Sequence, residues 1–135
     1  MTAKTIYLVS SKGFIIFSAL SLVYVAAMAM ISPQSVMDLV GVQLPNNDAI
    51  SSIRGIYGGV GITIFLMLIY LAFNNAQQGL VFLSVFWGSY AFSRIITWIS
   101  EGSLGAFGNN WLIIESIFCM IGLVLVLFAK QLKKS

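Results

Sequence analysis

The chain has 135 residues, 59% of them hydrophobic and only 8% charged, with a formal net charge of +3. Ordinary soluble domains carry about 25% charged residues, and a soluble fold this small has too little interior to bury so much apolar surface. There is room for one domain only; the lone Cys119 excludes an internal disulfide, and the absence of histidine removes the commonest metal ligand and general base.

The apolar residues come in four blocks. Between Lys12 and Pro33 lie 20 residues without a charge, and Gly55 to Phe73 gives another 19. Gly79 to Ser100 spans 22 residues with one charge, Arg94, and Trp111 to Ala129 spans 19 with one charge, Glu115. A hydrocarbon core about 30 Å thick needs roughly 20 helical residues at about 1.5 Å each. The expected fold is therefore all-α, an integral membrane four-transmembrane-helix bundle, with spans near 13–31, 49–73, 79–100 and 111–129.

Lys12, the first apolar run and Ala27-Met28-Ala29 have the outline of a cleaved secretory signal, but the run is long for one, and it reads as a membrane helix. Helix 1 ends at Ile31, because Pro33 cannot continue it and Ser32 caps whatever follows. Val36, Met37, Leu39 and Val40, closed by Gly41, predict a short amphipathic helix in the outer interface between helices 1 and 2. Leu44-Pro45-Asn46-Asn47-Asp48 predicts a turn, with Asn47 or Asp48 capping a helix 2 that starts near Ala49. The neutral run Asn74-Asn75-Ala76-Gln77-Gln78 is a tight turn that makes helices 2 and 3 antiparallel neighbours. Glu101 to Asn110, with three glycines, returns the chain to helix 4.

Lys4 and Lys12 precede the first span, and Lys130, Lys133 and Lys134 follow the last. An even number of spans puts both ends on one side, and the positive-inside rule makes that side cytoplasmic. The loop from Ser32 to Ser52 carries Asp38 and Asp48 and no basic residue, which suits the outer face. The lysines are thus topology signals and contacts for anionic headgroups, not a nucleic-acid surface.

This topology brings distant polar residues to similar depth. Arg54 lies near the outer end of helix 2, Arg94 roughly 9 Å inside helix 3 and Glu115 roughly 6 Å inside helix 4 from the same side. A lone charge at a span centre costs about 2.5–3.5 kcal/mol on insertion scales, so these groups are expected to face inward and to pair. Arg54, Tyr57, Gly58 and Gly61 form one helical stripe; Trp87, Tyr90, Arg94, Trp98 and Glu101 form a second; Glu115, Cys119 and Gly122 form a third. Facing one another, they would line an outer-leaflet cavity in which Arg54, Tyr57, Tyr90, Arg94 and Glu115 hold an acidic group. Blander readings stand beside this one. Arg94 and Glu115 can be a structural ion pair, and Arg54 can snorkel to lipid phosphate. Gly55, Gly58, Gly59 and Gly61 can be close-packing positions rather than a cradle. Trp87, Trp98 and Trp111 can be belt or packing residues. Cys119 reads as a small apolar filler, since no base accompanies it. The carboxylates lack the spacing of a metal site, and no cofactor is implied.

At Arg54-Gly55-Ile56-Tyr57-Gly58-Gly59 the chain resembles a family of small bacterial membrane proteins, domain of unknown function 4345. The resemblance covers nearly the whole chain. It extends to Pro33 and Gly41 after helix 1, to Arg94 followed by Gly102, and to Glu115 in helix 4, with Ser93 standing where the family carries glycine. It implies a four-span protein opening helix 2 with Arg-x-x-Tyr-Gly-Gly, located in the bacterial cytoplasmic (inner) membrane; it implies no chemistry.

Four functions remain in view. The leading expectation is a non-catalytic membrane protein that binds an amphipathic or anionic small molecule or lipid in the outer-leaflet polar cavity. The alternative is an accessory or scaffold subunit of a larger membrane complex, its partners being membrane lipids and other membrane subunits or a second copy of the chain. A small transporter lacks a mid-membrane acidic relay. A membrane enzyme would have to work from a tyrosine and a glutamate without a nucleophile–base pair.

Overall fold

In the computed structural model, which describes residues 2–132, every regular element is helical. They are α1 (Ala3–Ile31), α2 (Pro33–Asp38), α3 (Asn47–Ile53), a π-helical turn (Arg54–Gly59), α4 (Val60–Asn74), α5 (Ala76–Glu101) and α6 (Ala106–Leu132). The α3 helix, the π turn and α4 run on as one helix, so four helices of 29, 28, 26 and 27 residues are long and apolar enough to cross a membrane. At about 1.5 Å per residue each is about 40 Å long, enough to emerge from both sides of a core about 30 Å thick.

Local chemistry sets the helix ends. Pro33, which has no N–H, stands at the first position of α2 and stops α1 at Ile31. The α2 helix is shorter than its apolar pattern predicts. It closes at Asp38, and Leu39 to Gly41 form a turn in which Gly41 takes φ +71°, a backbone conformation that side chains with a Cβ resist. Asn46, rather than Asn47 or Asp48, caps the second span: its Oδ1 accepts the Ala49 N–H at 2.9 Å, and helix begins two residues ahead of Ala49. One residue, Asn75, separates α4 from α5, and its Oδ1 accepts the Gln78 N–H at 3.1 Å. Gln77 and Gln78 therefore belong to α5 rather than to the turn.

Two compact units divide the chain: residues up to Ile15 together with those from Leu71 onward, and Ile16–Tyr70. In the first, α5 and α6 lie side by side, with Leu80, Leu83, Trp87 and Ala91 buried on α5 and Glu115, Gly122 and Ala129 buried on α6. The opening of α1 joins them through ring contacts of Tyr7 with Phe128 and Phe14 with Phe118. In the second, the later part of α1 packs against the π turn and α4. A Cβ on Gly61 would sit 2.8 Å from the Ala26 Cβ, and one on Gly58 2.5 Å from the Met30 Sδ. Both helices thus approach through small residues, the usual device where lipid offers no hydrophobic drive for association.

Candidate functional site

The first unit holds an ion pair between neighbouring spans. The Nε–H of Arg94 donates to Glu115 Oε2 at 2.7 Å and its Nη2 donates to Oε1 at 2.9 Å, a two-pronged bond of charge-assisted length. The Glu115 side chain is 2% exposed and that of Arg94 22% exposed. The acid is thus sealed, while one edge of the guanidinium faces outward. Phe107, in the first turn of α6, places its ring centroid 5.9 Å from the Arg94 guanidinium carbon. Two of the five guanidinium N–H groups are used on Glu115, leaving three directed away from it.

An aromatic layer lies beneath this pair. Trp87 meets Phe118 edge-on at 5.1 Å, and Phe118 meets Phe14 at 5.8 Å. Next to it the third stripe closes onto α5: Cys119 Sγ donates to the Ser84 carbonyl at 3.4 Å and stands 3.2 Å from where a Cβ on Gly88 would be. A Cβ on Gly122 would meet the Ser84 Oγ at 2.5 Å. Glu115, Cys119 and Gly122 therefore form one continuous contact with α5. The aromatic stripe of α5 does not stay on one side in the same way. Trp87 is buried, Tyr90 is 43% exposed within ring contacts to Phe86 and Trp87, and Trp98 is 57% exposed, with Glu101 also exposed.

The second unit holds the other arginine. Arg54 opens the π turn, and its Nε–H donates to the Met30 carbonyl at 3.1 Å. That carbonyl is available because α1 is ending. The last four carbonyls of a helix lack intrahelical partners; Met28 accepts the Ser32 N–H at 2.8 Å, and Pro33 has no N–H to offer Ala29. A cation at this helix end also meets the negative pole of the helix dipole. Tyr57, half-buried, packs on the small cluster of Ala29, Val36 and Met37. With Gly58 and Gly61 against Met30 and Ala26, the whole stripe Arg54, Tyr57, Gly58, Gly61 is directed at α1 and the α2 segment. Gly55 and Gly59 lie exposed, and a methyl group added to either would have nothing within 4 Å.

The sequence pattern missed the π turn itself. Its wide hydrogen bonding is seen where the Val60 N–H reaches back to the Gly55 carbonyl, five residues away instead of four. Such turns are rare and recur at functional sites. The glycine-dense run Arg54–Gly59 is the one local signal that could have pointed to it. Phe107 and the Met30 carbonyl were also missed, since neither residue type marks a site in a sequence.

Among the described residues the Arg94–Glu115 contact is the one ion pair, so Arg54 has no carboxylate partner there. Helices of this length and composition, with charges set inside them, define an integral membrane protein with four spanning helices. The chain belongs to the family called domain of unknown function 4345, whose family model matches residues 10–126. No curated protein and no solved structure matches it.

Proposed function

We propose that the protein is a non-catalytic membrane protein that binds an amphipathic or anionic small molecule, such as a lipid, through polar residues in the outer leaflet. In this reading the termini face the cytoplasm of a bacterial inner membrane. Arg54 is the cation that recognises the acidic group, and Tyr57 stands one turn along the same helix face. The observation that carries the proposal is the unequal state of the two arginines. Arg94 is neutralised by Glu115, whereas Arg54 is anchored by Nε alone, with both Nη groups left for an anion. A full charge at membrane depth without a counter-ion is costly, and a bound acidic headgroup removes that cost. Its place at the start of a π turn adds to this reading.

Native mass spectrometry of the protein extracted gently from its own membrane tests it. A retained molecule of defined mass, lost in Arg54→Ala and retained in Arg54→Lys, is expected. Identical co-purifying molecules in Arg54→Ala, Arg94→Ala and wild type would remove the binding idea.

A second reading, an accessory or scaffold subunit, is favoured by Gly55 and Gly59, which leave a smooth, exposed helix face beside Ile56 and Val60. The same spectra address it: a complex with foreign subunits and no small ligand would replace the first reading.

A further inference from the structure

We propose that the terminal end of the first unit is a docking surface for anionic phospholipid headgroups, with Lys4, Lys12 and Lys130 as its cations. The inference concerns the end of that unit opposite Arg94 and Glu115 and does not depend on the function proposed for them.

The register of α1 against α5 creates the surface. A Cβ on Gly79 would meet the Ile15 Cδ1 at 2.8 Å, which sets these two parallel helices side by side at that level. Only four residues separate Gly79 from the cap Asn75, whereas α1 continues back from Ile15 to Ala3. The difference is eight residues, so α1 extends about 12 Å beyond the α4–α5 turn. The end of α6 accompanies it, with Tyr7 on Phe128 at 6.2 Å and Ala129 buried. Thr2 caps the start of α1, its Oγ1 accepting the Thr5 N–H at 3.3 Å.

Lys12 marks the lower border of this projection. Its Nζ lies 5.5 Å from the Phe73 ring centroid, where apolar α4 gives way to Asn74 and Asn75. An ammonium over an exposed ring suits the boundary between hydrocarbon and headgroups. Above it, Lys4 and Lys130 are exposed, and so are Ile6, Leu8 and Val9. Apolar side chains beside lysines can enter the acyl boundary while the ammonium groups meet phosphate. No acidic side chain competes. Asp38 is the first acidic residue of the chain and Glu115 the last, and the two acids of this unit, Glu101 and Glu115, lie toward its other end.

The test offers the purified full chain in neutral detergent equal amounts of phosphatidylglycerol and phosphatidylcholine with the same acyl chains, and reads the bound lipid by native mass spectrometry. Enrichment of phosphatidylglycerol is expected, weakening by about fivefold for each lysine removed and falling as salt is raised from about 50 mM to about 500 mM. The triple variant Lys4→Gln/Lys12→Gln/Lys130→Gln should lose it, and the triple Lys→Arg variant should keep it. Unchanged enrichment in the triple Gln variant would overturn the proposal. So would its loss in Arg54→Ala alone, which would assign the lipid to that arginine. Displacement of the lipid by millimolar glycerol phosphate would also overturn it, assigning the lysines to a soluble phosphate.

Discussion

Arg54 donates its Nε–H to the carbonyl oxygen of Met30 at 3.1 Å, joining the first residue of a π-helical turn to the last full turn of α1. The bond fills a backbone acceptor left open where α1 ends, and it holds a cation at the negative end of a helix. One side chain thus serves the end of one span and the opening of the next.

Replacing Arg54 with Met should therefore destabilise the protein by about 1 kcal/mol, a helix-end charge and one charge-assisted hydrogen bond at a half-buried position. Arg54→Lys should recover part of the loss, since it restores the charge without the planar Nε–H. Thermal unfolding in detergent measures both, and equal stability of wild type and Arg54→Met would show that the bond contributes nothing.

The Arg94–Glu115 pair predicts an asymmetric double-mutant cycle. Removing either partner alone leaves an uncompensated charge and should cost about 3–5 kcal/mol. Removing both, as Arg94→Met/Glu115→Leu, should cost less than Glu115→Leu alone, because no charge remains buried. Additive losses in the cycle would mean that the two side chains act independently.

The glycines of the second span should separate into two classes. Gly58→Ala and Gly61→Ala place a methyl within 2.8 Å of Met30 and Ala26 respectively, and should destabilise by about 1–3 kcal/mol. Gly55→Ala and Gly59→Ala meet open space and should be neutral or stabilising by up to about 1 kcal/mol, the gain in helix propensity. A scan in which all four behave alike would contradict the contact pattern.

Gly122→Ala brings a methyl to 2.5 Å from Ser84 Oγ, while the Ser84 Cα and Cβ remain at 3.5 Å. The substitution should therefore be destabilising by itself and substantially rescued by Ser84→Ala, which removes only the colliding oxygen. Unfolding of the two single variants and the double variant decides it, and absence of rescue would place the strain in the backbone instead.

The four spans were legible because a membrane-length apolar run is a local property, needing no knowledge of what lies beside it. Pro33 marked the end of α1 for an equally local reason, a missing N–H. The charge pattern also told correctly that Arg94 and Glu115 lie inside spans, where an unpaired charge is costly. Reading further required neighbours. Asn46, Asn47 and Asp48 are all competent caps, and only the fold selects Asn46. Helical spacing put Trp98 and Glu101 on a line with Trp87, yet Trp87 is covered by Phe118 while Trp98 stands exposed beyond the packed part of α5.

The sequence by itself determined an all-helical membrane protein, its four spans and the identity of the charges buried in them, because hydrophobic length and charge cost act residue by residue along the chain. Tertiary structure alone decided that Glu115 takes Arg94, that Arg54 turns to Met30, and that the glycine-rich run Arg54–Gly59 winds as a π turn. Those outcomes depend on which backbone acceptor is left open and how closely two helices approach. Both are set by residues that lie far apart in the chain and meet only when it folds.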